Sequence, residues 1–205
     1  MTYIKSLKII IDFCLSFVGI IILLPLFFIL VFIIKLTSKG PAIFSHTRYG
    51  YNGKTFPAYK FRSMVLDADK VLDKYLNENP SLKEEWDKDQ KLKNDPRITW
   101  IGNILRKTSL DELPQLFNIL RGDMSLVGPR PIVENEIKKY GEVYELYKKV
   151  RPGITGLWQV SGRNNTTYEE RINFDKEYIE NLSFRNDIFI LIRTIKVVLF
   201  REGAY

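Results

Sequence analysis

An uncharged, apolar run of 22 residues, Phe13–Ile34, constrains the fold of this chain more than any other feature. As a straight α-helix it would be roughly 33 Å long, which is enough to cross a bilayer. The run is too long for the apolar part of a secretory signal, and no small-residue cleavage pattern follows it. We therefore predict that residues 1–40 form a membrane-embedded segment that is retained in the mature protein.

Two topologies fit this segment. Basic residues flank both ends, with Lys5 and Lys8 before the run and Lys35 and Lys39 after it, whereas a helix that crosses a membrane usually has one less basic flank. Pro25 lies near the middle, where it removes a backbone hydrogen bond and bends a helix. A kinked, re-entrant helix that enters and leaves on the cytoplasmic face explains both observations. An ordinary proline-containing span remains the alternative on the residues alone.

The charge of the remaining chain indicates an anionic partner. The net charge is +7, and nearly all charged residues follow residue 40. Nucleic acid, lipid headgroups and phosphorylated small molecules all suit a basic surface. No nucleic-acid recognition motif is present, so we do not expect nucleic acid as the partner. A single cysteine, Cys14, and a single histidine, His46, exclude a disulfide framework and a multi-histidine metal centre.

Residues 41–205 are predicted to form one compact, mostly α-helical domain with a few short strands. Apolar and polar residues alternate between residues 40 and 64, which favours two or three short extended segments. Helical periodicity follows over residues 67–93, with a break at Pro80. It recurs over residues 102–120, with an interruption near Thr108, and over residues 132–149.

The C-terminal helix has an unusual distribution of side chains. Arg185, Arg193 and Lys196 fall within about 80° of one another at 100° per residue. Much of the remaining surface is occupied by large apolar residues, namely Ile188, Phe189, Ile192, Ile195, Leu199 and Phe200. A basic stripe opposite apolar bulk is typical of an amphipathic helix at a membrane interface. A core helix with a solvated edge is the alternative, and the membrane segment elsewhere in the chain favours the interfacial interpretation.

An adjacent acid pair, Asp111 and Glu112, is the strongest candidate for chemistry. Pro114 fits a helix only in its first turn, so we expect a helix to begin near Ser109 to Asp111. Acids at that position cap backbone amides and complement the helix dipole. The same position keeps a carboxylate ionised, as a nucleophile or a metal ligand requires. The dipeptide alone leaves both interpretations open.

Basic residues around the pair shift the balance towards phosphate chemistry. Pro129 and Pro131 restrict the backbone on both sides of Arg130, while Gly122 and Gly128 would allow a ligand to approach the backbone closely. The candidate substrate-binding residues are Lys60, Arg62, Arg106, Arg130, Arg151 and Arg163. Arginines held in this way suit bidentate phosphate recognition. Two acids among them indicate a divalent cation, bound by Asp111 and Glu112, that bridges a diphosphate while a carboxylate attacks phosphorus.

The chain resembles the bacterial sugar transferases, the monotopic phosphoglycosyl transferases that act on polyprenyl phosphate. The resemblance lies in the stretches "HTRYGYNGKTFPAYKFRSM", "LRKTSLDELPQLFNILRGDMSLVGPRP" and "VRPGITGLWQVSGRN", and it extends from "KIIIDF" to "RTIKVVLFREGAY". The stretch "GLWQVSGRNNTTYEER" and the "GAY" ending are most similar to undecaprenyl-phosphate galactose or glucose phosphotransferases.

The resemblance implies a specific reaction and a location. Such enzymes transfer a sugar 1-phosphate from a UDP-sugar to undecaprenyl phosphate with Mg²⁺, release UMP, and so initiate polysaccharide or lipopolysaccharide O-antigen assembly. By this resemblance Asp111 is the nucleophile that forms a phosphosugar-aspartyl intermediate, Glu112 is its partner, and Arg106 and Arg130 bind phosphate. The family also implies a re-entrant N-terminal helix in the bacterial cytoplasmic membrane, with the catalytic domain in the cytoplasm. This chain has Leu24 before Pro25, where small members often have serine.

Two other functions stay open on the sequence. One is a non-catalytic, membrane-tethered protein that binds anions, although two acids would repel an anionic ligand unless a cation lay between them. The other is a metal-dependent hydrolase of sugar nucleotides or lipid diphosphates. The sequence also leaves open the oligomeric state, including a homo-oligomer, and the choice among galactose, glucose and N-acetyl sugars.

Overall fold

A computed structural model describes residues 2–80, 82–83, 86, 92, 95–162 and 166–200, with side chains from residue 6 onward. In these ranges the helices are α1 Thr2–Thr37, α2 Ala68–Glu78, α3 Trp100–Lys107, α4 Gln115–Leu120, α5 Glu134–Tyr140, α6 Val143–Tyr147, α7 Leu157–Ser161, α8 Tyr168–Glu180 and α9 Phe184–Phe200. The strands are β1 Ile43–Tyr49, β2 Thr55–Phe61, β3 Ser125–Val127 and β4 Gly153–Thr155. The prediction of a mostly helical chain with a few short strands is confirmed. Most of the second half of the predicted 67–93 helical segment lies outside the described residues.

One face of α1 packs against the rest of the chain. Its buried residues are Asp12, Ser16, Ile20, Phe27, Leu30 and Ile34. Successive members of this set are three, four or seven positions apart. This spacing places them along one side of a helix. Phe27, Leu30 and Ile34 share a core cluster with Phe61 and Leu105. The apolar run therefore belongs to the hydrophobic core as well as to the surface.

The opposite face of α1 is exposed and apolar. Phe28 is 68% exposed and Leu36 is 71% exposed, and large apolar residues between Ile10 and Phe32 continue the same surface. Soluble monomers rarely expose a continuous apolar surface of this extent. The segment Ser6–Thr37 is long and apolar enough to cross a membrane, and the exposed face fits contact with lipid.

Polar side chains near both ends of α1 form ion pairs or hydrogen bonds with the domain that follows α1 in the chain. Near the start, Lys8 Nζ lies 2.6 Å from Asp187 Oδ2 at the beginning of α9, and Ser125 Oγ donates to Asp12 Oδ2 at 2.6 Å. Near the end, Arg62 Nη2 donates to the Ser38 carbonyl at 3.0 Å and to Ser38 Oγ at 2.8 Å. These contacts lie about one helix length apart, so the domain extends along most of α1.

Two small sheets support the loops that carry the acid pair and the arginines. Strands β1 and β2 form an antiparallel hairpin in which Ile43 pairs with Phe61 and Tyr49 pairs with Thr55, as predicted for residues 40–64. Strands β3 and β4 are parallel. A Cβ on Gly128 would lie 2.5 Å from the Arg151 carbonyl oxygen and 2.7 Å from the Gly153 nitrogen. Gly128 is thus required by the close approach of two backbones, and its expected role in ligand approach stays a prediction.

Helix α9 differs from its predicted arrangement. Its buried residues are Asp187, Ile190 and Val197, while the basic residues and most of the large apolar residues are exposed together. The Arg193 guanidinium lies over the Phe189 ring at 5.5 Å. The prediction of a basic stripe opposite the apolar bulk is therefore wrong, because both classes share the outward face. Long basic side chains can still reach headgroups from an apolar surface, so the helix remains suited to a membrane interface.

A buried carboxyl group on α8 gives the fold a pH dependence. Asp175 is 1% exposed, and Tyr140 Oη donates to its Oδ2 at 2.6 Å. Burial raises the pKa of Asp175 to about 7, although the Tyr140 hydrogen bond and the Arg171 charge act in the opposite direction. In the unfolded chain an aspartate has a pKa of about 3.9. Between these two values the native state binds more protons, so its stability is greatest at low pH and falls as the pH rises through about 7.

We expect Asp175→Asn to remove much of this dependence. The amide oxygen can still accept the Tyr140 hydrogen bond, but it cannot ionise. Between pH 5 and 8 the wild type should lose about 2–3 kcal/mol of unfolding free energy through this one group. Thermal unfolding in detergent across that range measures the difference, with Asp73→Asn on the exposed side of α2 as the control. Equal pH slopes in the wild type and the Asp175→Asn variant would show that Asp175 does not titrate as described.

Candidate active site

The acid pair lies in a short 3-10 turn, Leu110–Glu112, between α3 and α4. Ser109 ends the preceding segment with a left-handed backbone conformation, φ 56°, and α4 begins only at Gln115 after Pro114. The expectation that a helix begins near Ser109 to Asp111 is confirmed, in the form of a 3-10 helix that starts at Leu110. The two acids lie in the first turn of this 3-10 helix and precede α4.

Asp111 is a buried carboxylate with an altered acidity. It is 8% exposed, and burial raises its pKa to about 6, with Glu112 acting in the same direction and Lys60 and Arg106 opposing it. At neutral pH the group is therefore mostly ionised but poorly solvated. A carboxylate in this state can act as a nucleophile or bind a cation, because it has few water molecules to lose.

Lys60 and Arg106 supply positive charge next to Asp111. Lys60 extends from β2, and its Nζ lies 2.6 Å from Glu112 Oε1 and 3.7 Å from Asp111 Oδ2. Arg106, near the end of α3, donates from Nε to Ser63 Oγ at 2.9 Å. The structure therefore brings four of the predicted residues, two acids and two bases, into one site.

Three arginines form a cluster beside this site. Arg48 on β1, Arg130 before α5 and Arg171 on α8, called the arginine cluster below, all surround Glu136. The distances to the Glu136 carboxylate oxygens are 3.9 Å from Arg48, 3.9 Å from Arg130 and 3.4 Å from Arg171. These four residues carry a net charge of two positive units, because three guanidinium groups surround one carboxylate.

Electrostatics links the arginine cluster to the acid pair. Burial lowers the pKa of both Arg48 and Arg130, and the charge of Glu112 acts in the opposite direction on both. The Arg130 side chain is 35% exposed, so part of its guanidinium faces outward. The site thus combines a buried carboxylate with a positively charged surface, which suits a ligand with more than one phosphate group.

One aromatic ring lies against two members of the arginine cluster. The Trp158 ring on α7 lies 4.8 Å from the Arg171 guanidinium and 5.7 Å from that of Arg130. Trp158 Nε1 donates to Thr166 Oγ1 at 2.7 Å, which fixes the ring. Stacking of this kind restricts a guanidinium without consuming its hydrogen-bond donors.

The sequence did not reveal Arg48 or Arg171. Neither has a neighbouring proline, and each joins Arg130 only through the packing of distant segments. The recurrence of arginine in the motifs "HTRYGY" and "TTYEER" was the available signal, but it does not distinguish a site residue from a surface residue.

Three other predicted residues lie elsewhere or are not described. Arg62 is bonded to Ser38 at the end of α1. Arg151 lines a different cavity, with Lys8 and Asp12, whose described walls include neither acid of the pair. Arg163 lies outside the described residues. A substrate-binding role for these three stays a prediction.

The acid pair has the chemistry of a partial magnesium site. The described part of the chain contains no group of three or more histidine, cysteine or acidic residues that could hold a metal ion. Mg²⁺ is, however, commonly bound by one or two carboxylates, with water and substrate phosphates completing the shell. Asp111 and Glu112 fit that arrangement, in which the nucleotide would bring the remaining ligands.

Comparison with known proteins identifies the family. A family model described as bacterial sugar transferase matches residues 3–201, which is nearly the whole chain. The chain belongs to the bacterial sugar transferase family. The resemblance noted from the central motifs is therefore confirmed, and the acid pair and arginine cluster can be considered as parts of a sugar transferase.

Several relatives share high identity with this sugar transferase. An undecaprenyl-phosphate galactose phosphotransferase of Salmonella typhimurium is 58% identical over 166 residues, which cover 81% of this chain and 35% of the relative. A UDP-glucose:undecaprenyl-phosphate glucose-1-phosphate transferase of Escherichia coli is 40% identical, covering 95% and 40%. The exopolysaccharide production protein ExoY of Rhizobium meliloti is 45% identical, covering 92% and 83%. The chain thus spans about two fifths or less of the first two relatives and most of the third.

Proposed function

We propose that this sugar transferase moves a sugar 1-phosphate, galactose or glucose, from a UDP-sugar to undecaprenyl phosphate and so initiates polysaccharide assembly. The observation that carries the proposal is Asp111, a buried carboxylate that is mostly ionised at neutral pH and lies within reach of Lys60. The names of the relatives, which include transferases acting on undecaprenyl phosphate, support the acceptor.

In the first step, a carboxylate oxygen of Asp111 attacks the phosphorus that carries the sugar. A bond forms between this oxygen and phosphorus, and the bond from phosphorus to the bridging oxygen breaks. UMP leaves with the electron pair of that bond, and the sugar phosphate remains on Asp111. Lys60 and the arginine cluster would stabilise the negative charge that develops on the phosphate oxygens. Mg²⁺ bound at the acid pair would supply further charge neutralisation.

In the second step, a phosphate oxygen of undecaprenyl phosphate attacks the same phosphorus. The bond to Asp111 breaks, the carboxylate is restored, and a lipid diphosphate sugar forms. Because UMP must leave before the lipid reacts, the kinetics should be ping-pong. Glu112 would keep Lys60 oriented throughout, since the two side chains are 2.6 Å apart.

UMP release over a panel of UDP-sugars tests the proposal. With undecaprenyl phosphate present, we expect continuous UMP release for UDP-galactose or UDP-glucose. Without the lipid, release should stop after about one UMP per enzyme. Continuous release without lipid, with free sugar phosphate as the product, would indicate a hydrolase. If the folded protein releases no UMP from any donor, the alternative of a non-catalytic anion-binding protein would be supported.

We further propose that α1 does not cross the membrane and that the domain lies in the cytoplasm. The same domain binds Lys8 at one end of α1 and Ser38 at the other. A domain on one side of a bilayer cannot contact both ends of a helix that crosses it. The basic residues at both flanks of α1 also favour a cytoplasmic location for both ends.

Labelling of an N-terminal cysteine tests this topology. In a Cys14→Ser background, a cysteine introduced at Thr2 should resist a membrane-impermeant maleimide in intact cells and react after permeabilisation. A cysteine at Lys138, on the exposed side of α5, serves as the reference for the domain and should behave identically. Reaction of the N-terminal cysteine in intact cells, with the Lys138 position protected, would establish a helix that crosses the membrane.

A further inference from the structure

A cavity lies beside β3, whose residues Ser125 and Val127 contribute to its lining. Its volume is about 200 Å³, and it is enclosed by the first third of α1, the loop before β4 and the connection from α8 to α9. The residues that matter for its chemistry are Lys8, Ile9, Lys149, Val150, Arg151 and Leu182. Neither member of the acid pair lines this cavity, and neither does any member of the arginine cluster. The two reaction steps described above do not use the residues of this cavity.

The walls of the cavity combine positive charge with apolar surface. Lys8, Lys149 and Arg151 contribute three positive charges, and Asp12 contributes one negative charge. The negative charge is already satisfied, because Asp12 accepts a hydrogen bond from Ser125 and lies 3.9 Å from Lys8. Lys8 also pairs with Asp187 at 2.6 Å. With Asp187 counted, three cations and two acids leave one positive charge at the cavity, which suits an anionic ligand.

Arg151 is the cation in this cavity whose side chain is best suited to bind a ligand. It is partly buried, and among the described residues its guanidinium has no hydrogen bond or ion pair with another side chain. Arginine has five donors in a planar fork that matches the oxygens of a phosphate group. Nearby, Ile9, Val150 and Leu182 provide apolar walls. A phosphate attached to an apolar body would satisfy both parts of the cavity.

The surfaces around the cavity indicate that such a ligand would come from the membrane. On α1, Ile10 and Phe13 are exposed, and on α9, Phe184 and Ile188 are exposed. The ion pair between Lys8 and Asp187 brings these two helices together at the cavity. A ligand that enters between two outward apolar surfaces has to be amphipathic, which a free phosphate or a nucleotide is not.

We infer that this cavity binds the headgroup phosphate of an anionic membrane phospholipid, with Arg151 and Lys149 on the phosphate and the apolar wall on the first carbons of the lipid. The phospholipid does not react. It fixes the contact between α1 and the α8–α9 connection where the domain meets the membrane. The inference needs membrane association, but it does not depend on the proposed sugar transfer, so the two can fail separately.

Native mass spectrometry of the full chain tests the inference. The protein is reconstituted in nanodiscs of phosphatidylglycerol and phosphatidylcholine and then released into detergent. We expect the wild type to retain a single phosphatidylglycerol. The Lys149→Gln/Arg151→Gln variant should retain it at least about tenfold less, on the scale of lost charge-assisted hydrogen bonds.

A matched control separates the cavity from general surface charge. The Lys70→Gln/Lys74→Gln variant also loses two positive charges, and both residues are exposed on α2 outside the cavity. Its lipid retention should equal that of the wild type. Unchanged retention in the Lys149→Gln/Arg151→Gln variant, or an equal loss in both variants, would overturn the inference.

Crosslinking of the wild type gives a second measurement that needs no variant. A photoactivatable phosphatidylglycerol should label the peptides that contain Ile9 and residues 149–151. An excess of undecaprenyl phosphate should leave this labelling unchanged. Labelling that maps to the Asp111 peptide, or that undecaprenyl phosphate abolishes, would assign the bound lipid to the acceptor site and contradict a separate phospholipid site.

Discussion

Replacing Asp111 with asparagine should abolish sugar-phosphate transfer while the fold survives. The amide keeps the size of the buried side chain but lacks the anionic oxygen that attacks phosphorus. Because burial raises the pKa of Asp111, the folded chain disfavours the ionised form, so a neutral amide at this position should not destabilise the chain. On the scale of other enzymes that lose a nucleophile, the rate should fall on the order of 10⁴-fold or more.

Mass spectrometry of the enzyme without lipid acceptor provides the direct measurement. After incubation with UDP-sugar and Mg²⁺, a hexose-phosphate adduct should appear on the tryptic peptide covering residues 108–121, which contains Asp111 and Glu112. Fragment ions then distinguish the two acids. The adduct should vanish in the Asp111→Asn variant.

A neighbouring acid provides the control for this experiment. Asp123 lies in the turn after α4 and pairs with Arg121 at 3.2 Å. The Asp123→Asn variant should keep the adduct and the turnover. Sequential kinetics with no adduct in the wild type would mean that the lipid phosphate attacks directly, and that Asp111 serves only to bind the cation.

The features that sequence alone predicted are those that depend on local composition. The apolar run predicted α1, and alternation between residues 40 and 64 predicted the β1–β2 hairpin. The acid pair was recognisable because Asp111 and Glu112 are adjacent in the chain. The interruption of the helix before them was expected near Thr108, and the structure places it there, with Ser109 in a left-handed conformation.

The features that sequence missed depend on contacts between distant segments. Glu136 contacts Arg48, Arg130 and Arg171, which lie 88, 6 and 35 residues away from it along the chain. No local sequence pattern predicts these contacts. The orientation of α9 was missed for the same reason. Helical periodicity gives the angles between side chains, but the buried face includes the charged residue Asp187 because Lys8 and Tyr178 bind it there.

Loss of the Glu136 charge should have the largest effect on stability of any single change at the site. Burial alone would raise the pKa of Glu136, but Arg171, Arg130 and Arg48 hold it below its usual value, so the group is ionised in the folded chain. In the Glu136→Gln variant the side chain can still accept the hydrogen bond from the Val133 amide, which is 2.9 Å long. The arginine cluster, in contrast, would lose its shared counter-charge.

The expected cost is about 3 kcal/mol of unfolding free energy, as is typical when one partner of a buried ion pair is removed. Chemical denaturation in detergent measures it. Glu134 lies two residues earlier in the same helix and is exposed, so Glu134→Gln is a matched control and should change stability by no more than about 0.5 kcal/mol.

Addition of UMP distinguishes a phosphate-binding cluster from a purely structural one. If the arginine cluster receives the phosphates of the nucleotide, UMP supplies the counter-charge that the Glu136→Gln variant lacks. A ligand that binds the folded state stabilises it by an amount that grows with the logarithm of the ligand concentration relative to its Kd. Binding should also be tighter where three guanidinium groups have no competing carboxylate. UMP should therefore raise the melting temperature of the variant more than that of the wild type. If the variant is destabilised but UMP raises its melting temperature no more than that of the wild type, the three arginines have a structural role and do not bind the nucleotide.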